Sequence, residues 1–195
     1  MNSVPPRWRR YSFAVVAAFV VACSAAVDPG NQSAASPPGI ATASNVNENR
    51  EPDLGSCQNL RPPTGSTLAY HVYAEGVQIW HWTGTAWAFD GPSALLYADA
   101  EGKGVVGTHS FGPTWTSLSG GKVEGTLLDR CSPNPNAIPW LVLSAVSEGP
   151  GVFDGVIAIQ RLYTTGGIAP SNAGSFVGEE ARVPYSTEYF FYRAK

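Results

Sequence analysis

The stretch Gly107–Trp115 has the sequence GTHSFGPTW and decides how the rest of the chain is interpreted. It holds a histidine, a Gly-Pro pair and a tryptophan, and the segments on either side have the residue pattern of β-strands. A helix cannot run through Gly112-Pro113, because proline lacks the backbone N–H and clashes with the preceding turn. The stretch therefore predicts two strands joined by a turn, with His109 at the end of the first strand.

The strand pattern continues outward from this stretch, between frequent turns. Glycine and proline are abundant, at 21 and 16 residues, and there is a single methionine, a composition that favours strands and turns. Alternation or apolar runs predict further strands at residues 68–73, 77–82, 86–89, 94–98, 122–128, 140–146, 152–163 and 185–192. Residues 164–178 are expected to form a loop. We predict an all-β fold of about nine strands, an antiparallel barrel or sandwich with no major helix.

One short motif matches the pattern of a nucleotide-binding site, but the residues around it exclude that function. Gly102–Gly107 spells GxGxxG, the pattern of dinucleotide-binding proteins. That function requires a helix to open from the glycines, so that its N-terminus meets the phosphates. The residues that follow lead into Gly112-Pro113 and cannot form that helix. The glycines instead indicate a hairpin turn.

The first part of the chain has the features of an export signal followed by a tether. Residues 1–22 combine three arginines with a short apolar run, too short to span a bilayer, and predict a signal peptide. Val20–Cys23 resembles a bacterial lipobox, which would make Cys23 the lipidated N-terminus; the alternative is plain secretion after cleavage near residues 24–26. Residues 23–53 are rich in Pro, Ser, Ala and Asn and predict a flexible tether, which leaves residues 54–195 as one β domain.

The cysteines indicate the compartment in which the protein folds, and the net charge limits the classes of partner. With Cys23 assigned to lipid, Cys57 and Cys131 remain as a pair, and an exported compartment permits a disulfide between them. The formal net charge of −3 becomes −6 without the three signal arginines. A mildly acidic domain with no Lys/Arg cluster argues against nucleic acid as a partner.

His109 is the first candidate for chemistry. It lies at a strand end beside a rigid turn, where functional side chains are often placed. The structural alternative, which we favour, is a histidine that bonds a backbone carbonyl and braces the turn. His71 and His81, expected on adjacent strands, would have to join it to ligate a metal, and no carboxylate cluster supports such a site. We therefore predict neither a metal nor a cofactor.

Polar and aromatic residues on other strands complete the candidate set. Gln160 and Arg161 are neighbours in an apolar strand, so one of the two points inward. The inward residue would contact a ligand or, if it is Arg161, form a buried ion pair with an acid such as Asp90, Asp99, Asp129 or Glu188. Trp80 and Trp82 share a strand face with Gln78, which suggests that this face is partly wet.

Several motifs together resemble one known family over residues 57–195. They are Gly76–Trp80, Val106–His109 with Gly112–Trp115, Ile138–Leu141, Ile159–Arg161 with Gly166-Gly167 and Ala169-Pro170, and Val183–Tyr185. In these motifs, and in their order, the chain is similar to the secreted bacterial and fungal domain-of-unknown-function family 3455. The resemblance implies an exported domain and no established activity.

Three functions remain open from the sequence. The first is an exported binding module for a small molecule, a glycan or an envelope partner, with a ligand surface built from His109, Trp115, Gln160, Arg161, Trp80 and Trp82. The second is an extracytoplasmic enzyme that uses His109 as an acid or base. The third is a structural cell-surface module without a ligand pocket. We expect a location outside the cytoplasm, with membrane contact only through a lipid anchor.

Overall fold

A computed structural model describes residues 51–195, and the expected signal peptide, the lipidation site Cys23 and the tether up to residue 50 lie outside the described residues. The described part contains one 3-10 turn and eight strands. These are the 3-10 turn Gln58–Leu60 and the strands β1 Ser66–Trp82, β2 Trp87–Tyr97, β3 Val105–Ser110, β4 Thr114–Ser117, β5 Lys122–Cys131, β6 Trp140–Glu148, β7 Val156–Gly166 and β8 Glu180–Ala194. Within residues 51–195 no helix has the length and apolar character needed to cross a membrane.

The eight strands form a single antiparallel sheet that closes into a ring. Each strand pairs with the next along the chain, and β1 pairs with β8 from Ser66↔Ala194 to His81↔Glu180. The predicted all-β antiparallel fold is therefore confirmed. Gly102 and Gly104 lie in the hairpin turn between β2 and β3 and have positive φ, as expected, whereas Gly107 lies within β3.

The structure has eight strands, and two of the expected breaks do not occur. Residues 68–73 and 77–82 belong to one continuous strand, β1, which passes through Gly76. A Cβ at Gly76 would lie 2.2 Å from the carbonyl oxygen of Ser93, so glycine is needed there for close approach of β2. Gly91-Pro92 does not end β2 either. Both residues pair with β1, opposite Ile79 and Gln78, and the register shift falls next to them, where Asp90 is left unpaired as a bulge.

The inside of the ring is filled by one apolar cluster drawn from nearly every strand. Its largest fully buried members are Trp115, Tyr189, Phe153 and Phe191. Since β1, β2, β4, β5, β6, β7 and β8 all contribute to this cluster, it can only lie within the closed sheet. The aromatic residues of β8 therefore close the core from one side.

A second apolar cluster lies on the outer face of β6, β7 and β8. There Val142, Leu162 and Tyr192 pack against Leu54 and Leu60 of the segment that precedes β1. We call residues 51–61 the strap. Cys57 of the strap forms a disulfide with Cys131 at the end of β5, as predicted. The strap also receives a hydrogen bond from Tyr163 Oη to the Asp53 carbonyl, at 3.0 Å.

Candidate functional site

A pocket of about 310 Å³ opens at one end of the closed sheet. Its mouth carries the exposed rings of Phe89 and Phe111, and its inner wall includes buried core residues. Most of the lining is apolar. The lining residues are Phe89, Asp90, Gly91, Pro92, His109, Phe111, Gly112, Pro113, Trp115, Leu127, Leu141, Leu143, Arg161 and Tyr189.

His109 points into the ring from the end of β3 and is 3% exposed. Its Nδ1–H donates to the Thr114 carbonyl across the Gly112-Pro113 turn, at 2.9 Å, and its ring stacks on Trp115 with centroids 4.2 Å apart. Burial lowers the pKa of His109 to about 3, although the Thr114 hydrogen bond opposes this; nearby Arg161 adds to the lowering. His109 is therefore neutral near pH 7, and the bracing role expected from the sequence is the one the structure shows.

Arg161 reaches the same pocket from β7, where it pairs with Leu141 of β6 and Tyr189 of β8. Its Nε and Nη2 both donate to the Pro139 carbonyl, at 3.2 and 2.8 Å. Burial lowers the pKa of the guanidinium, while the hydroxyls of Tyr189 and Tyr185 act in the opposite direction. Since a guanidinium stays protonated in proteins, Arg161 places a positive charge beside an apolar cavity.

The ion pair expected as an alternative for Arg161 is absent from residues 51–195. Asp90 bonds His81, and Glu188 bonds His71 on the outside of the sheet. The other two candidates, Asp99 and Asp129, form no ion pair with Arg161 either. The prediction of an ion pair is wrong because β7 places the guanidinium against the Pro139 carbonyl and not against a carboxylate.

Four buried side-chain polar atoms inside the ring make no hydrogen bond of regular geometry. Tyr189 Oη, Tyr185 Oη, Gln78 Nε2 and Trp115 Nε1 are buried and have no hydrogen-bond partner. The tyrosine hydroxyls are close enough to Arg161 to influence its pKa, but no contact among these groups has the geometry of a hydrogen bond. Burial raises the pKa of both tyrosines, so both stay protonated. Two of these atoms, Tyr189 Oη and Trp115 Nε1, belong to residues that line the pocket.

Gln160 lies on the opposite face of β7 and does not line the pocket. Its Nε2 donates to the Leu60 carbonyl of the strap at 2.6 Å, and its Oε1 accepts from Tyr192 Oη at 2.7 Å. The rule that one of the two neighbours points inward is confirmed, and the inward residue is Arg161. Gln160 instead fastens the strap to the sheet.

Trp80 and Trp82 also lie outside the pocket lining. Trp80 Nε1 donates to the Gly167 carbonyl at 3.1 Å, and Trp82 lies so close to Gly174 that a Cβ there would come within 2.5 Å of its Cγ. Both rings are thus covered by the loop that joins β7 to β8. The suggestion of a partly wet face is wrong for Gln78, which is 1% exposed.

The pocket includes residues that the sequence reasoning did not select. Phe89, Phe111, Leu127, Leu141 and Tyr189 contribute to its apolar lining. A signal existed for Phe111, which lies within GTHSFGPTW between the histidine and the turn. No comparable signal existed for Tyr189. Its side chain and that of Phe190 point to opposite faces of an apolar strand, and both are buried, so the sequence pattern does not tell which one faces inward.

The three histidines do not come together. His71 and His81 both lie on β1, which corrects the expectation that they occupy adjacent strands. Each bonds a carboxylate, His71 to Glu188 at 2.9 Å and His81 to Asp90 at 2.6 Å. Among residues 51–195, no three His, Cys, Asp or Glu side chains form a group that could hold a metal ion.

Comparisons with known proteins give one finding. No curated protein and no solved structure shows significant similarity to this chain. A family model does match residues 62–193, which include all eight strands except the terminal residue of β8. The chain therefore belongs to the family described as "Protein of unknown function (DUF3455)".

Proposed function

We propose that this domain binds a small, largely apolar molecule in the pocket at the end of the closed sheet. The observation that carries the proposal is that His109, Trp115 and Arg161 meet in one pocket with an apolar lining. Binding sites for small molecules combine an apolar surface with a few fixed polar groups in this way. The mouths of closed antiparallel sheets are common places for them.

The size of the pocket limits the ligand. Its volume is about 310 Å³. At about 30 Å³ per non-hydrogen atom, which is the share of a water molecule in the liquid, this accommodates on the order of ten such atoms. The ligand would be the size of a medium-chain lipid or a single substituted aromatic ring, well below that of an oligosaccharide.

The geometry gives less support to an enzyme that uses His109 as an acid or base and to a purely structural module. A general base works best with a pKa near the operating pH, and the pKa of His109, at about 3, is far below neutrality. Its Nδ1 is held by a backbone carbonyl instead of the carboxylate that an acid–base pair would use. A purely structural module would not need an open pocket, whereas here exposed rings surround the mouth.

The proposal includes a location outside the cytoplasm. Residues 1–22 have the pattern of an export signal, and the Cys57–Cys131 disulfide suits an oxidising compartment. Attachment through a lipid on Cys23 is part of the same proposal. Labelling the protein in its native host with a palmitate analogue, with a Cys23→Ala variant as the control, tests this attachment.

The binding proposal is tested by obstructing the mouth of the pocket. Leu127 and Leu128 are neighbours in β5 and are 50% and 57% exposed, but only Leu127 lines the pocket. We expect Leu127→Trp to weaken the binding of octan-1-ol by at least about tenfold, because the larger ring fills the space that the ligand needs. Leu128→Trp is the matched control and should leave the affinity unchanged. Isothermal titration calorimetry measures both, and equal affinities for the two variants would contradict the proposal.

A further inference from the structure

We propose that the ligand of this pocket carries a carboxylate and that Arg161 binds it; this inference rests on the proposed function. The ligand class would then be an apolar monocarboxylate, with its chain or ring among the residues of the mouth. The carboxylate would lie deeper, where it can contact both the guanidinium and the hydroxyl of Tyr189. Four observations support this assignment.

The first observation is the number of donors that Arg161 has left. A guanidinium has five N–H groups, and the bonds to the Pro139 carbonyl use one on Nε and one on Nη2. Three N–H groups remain, on a side chain that lines the cavity and forms no ion pair within the described residues. A cation beside an apolar space is stabilised by an anion that enters the space.

The second observation is that no other ionisable side chain of the lining neutralises the charge of Arg161 or adds a second positive charge. His109 is neutral and adds no positive charge. Asp90 is half-exposed at the mouth and bonds His81 at 2.6 Å, outside the reach of an ion pair with Arg161. Tyr189 stays protonated because burial raises its pKa. Arg161 is therefore the single positively charged side chain of the lining.

The third observation is the unpaired hydroxyl of Tyr189. It is buried, it belongs to a residue of the lining, and it lies close enough to Arg161 to raise the pKa of the guanidinium, although it makes no hydrogen bond of regular geometry. A protonated phenol can donate one hydrogen bond to a carboxylate oxygen. Together with the planar guanidinium fork, it would hold a carboxylate from two sides.

The fourth observation separates a carboxylate from a phosphate. One guanidinium balances one negative charge, whereas a phosphate monoester carries nearly two near pH 7 and would leave an unpaired charge among apolar side chains. The rest of the lining is mostly aromatic and aliphatic, so the body of the ligand is apolar. With room for on the order of ten non-hydrogen atoms, octanoate has the right size.

The test compares head groups on one chain length. Octanoate, octan-1-ol and octylammonium are titrated into the wild-type protein at pH 7.5 by isothermal titration calorimetry. We expect octanoate to bind about ten- to a hundredfold more tightly than octan-1-ol, the range of charge-assisted hydrogen bonds, and octylammonium to bind more weakly than the alcohol. This comparison needs no variant, so it stays decisive even if substitutions at Arg161 impair folding.

Variants then assign the preference to the guanidinium. Arg161→Met should remove the preference for octanoate over octan-1-ol, and circular dichroism shows whether the variant is folded. Arg161→Lys keeps the charge and should keep part of the preference, whereas Tyr189→Phe should reduce it by a smaller factor than Arg161→Met. Octanoate that binds no better than the alcohol, or a preference that survives in Arg161→Met, would overturn this inference while the pocket remains a binding site. If none of the three probes binds to wild type, the proposed function itself fails.

Discussion

Removal of the disulfide between Cys57 and Cys131 provides the most direct measure of how the strap stabilises the domain. The two cysteines are 74 positions apart in the sequence. In the chain-entropy model a loop of that length reduces the freedom of the unfolded chain by about 15 cal/mol/K, or about 4.5 kcal/mol at 25 °C. Because a domain of this size is stable by about 5–15 kcal/mol, the cross-link accounts for a large share of the total.

We expect the double variant Cys57→Ala, Cys131→Ala to lose about 4 kcal/mol of unfolding free energy. Most of the native contacts of the strap should persist, because Leu54 and Leu60 still pack on the outer face and Gln160 still bonds the Leu60 carbonyl. Urea titration followed by tryptophan fluorescence and by circular dichroism measures the loss, and coincident transitions justify a two-state treatment. Wild-type protein treated with a reducing agent is the control and should show a similar loss.

A loss of unfolding free energy below about 1 kcal/mol would contradict this prediction. The chain-entropy model would then overestimate how much the cross-link restricts the unfolded chain. Ligand affinity provides a second check. The disulfide lies on the outer face and the pocket on the inner face, so octan-1-ol should bind the double variant within about twofold of wild type. A large drop in affinity would mean that the strap shapes the pocket.

Two further predictions concern one residue on each face of the sheet. His109 is neutral in the folded protein, with a pKa of about 3, whereas the unfolded chain binds a proton below pH 6.5, so stability falls as the pH drops from 6.5 towards 3. Between pH 6.5 and 5.0 this amounts to about 2 kcal/mol, and His109→Phe should lack that part of the slope in urea titrations; equal slopes would contradict it. Gln160→Leu should lower the unfolding free energy by about 2 kcal/mol, since the Leu60 carbonyl and Tyr192 hydroxyl lose a buried partner. The same variant should bind octanoate as wild type does, and weakened binding in calorimetry would place Gln160 in the site after all.

The sequence predicted the fold class because most inward positions alternate with outward ones along each strand. On β1, Tyr70 and Val72 share a face, and both belong to the inner core. What local patterns could not predict is the continuity of the strands. A glycine such as Gly76 is typical of a break between strands. In the structure it is required inside β1, because Ser93 of the neighbouring strand approaches too closely for a side chain. Local sequence patterns do not reveal such a contact between residues far apart in the chain.

The candidate site was predicted in part, and the strap explains why Gln160 was assigned to it wrongly. His109, Trp115 and Arg161 were selected and do meet in the pocket. Alternation identifies the inner face only when the outer face is polar, but the strap buries the outer face of β7 and β8 as well. Gln160 is therefore as buried as a ligand-binding residue would be, and its role in holding the strap depends on a segment a hundred residues away.

The pocket and the core are built from the same side chains, which has a consequence for binding. The indole of Trp115 fills the ring above Gly125, where a Cβ would come within 3.1 Å of its Cζ3, and it stacks on His109 at the pocket wall. A ligand that contacts Trp115, His109 and Arg161 thus contacts groups that are ordered only in the closed sheet. Such a ligand binds the folded state alone and stabilises it by RT ln(1 + [L]/Kd), about 2.7 kcal/mol at a hundredfold excess over Kd. Because neutralisation of the Arg161 charge would lower Kd for a carboxylate, octanoate should raise the melting temperature more than octan-1-ol does at equal ligand concentration.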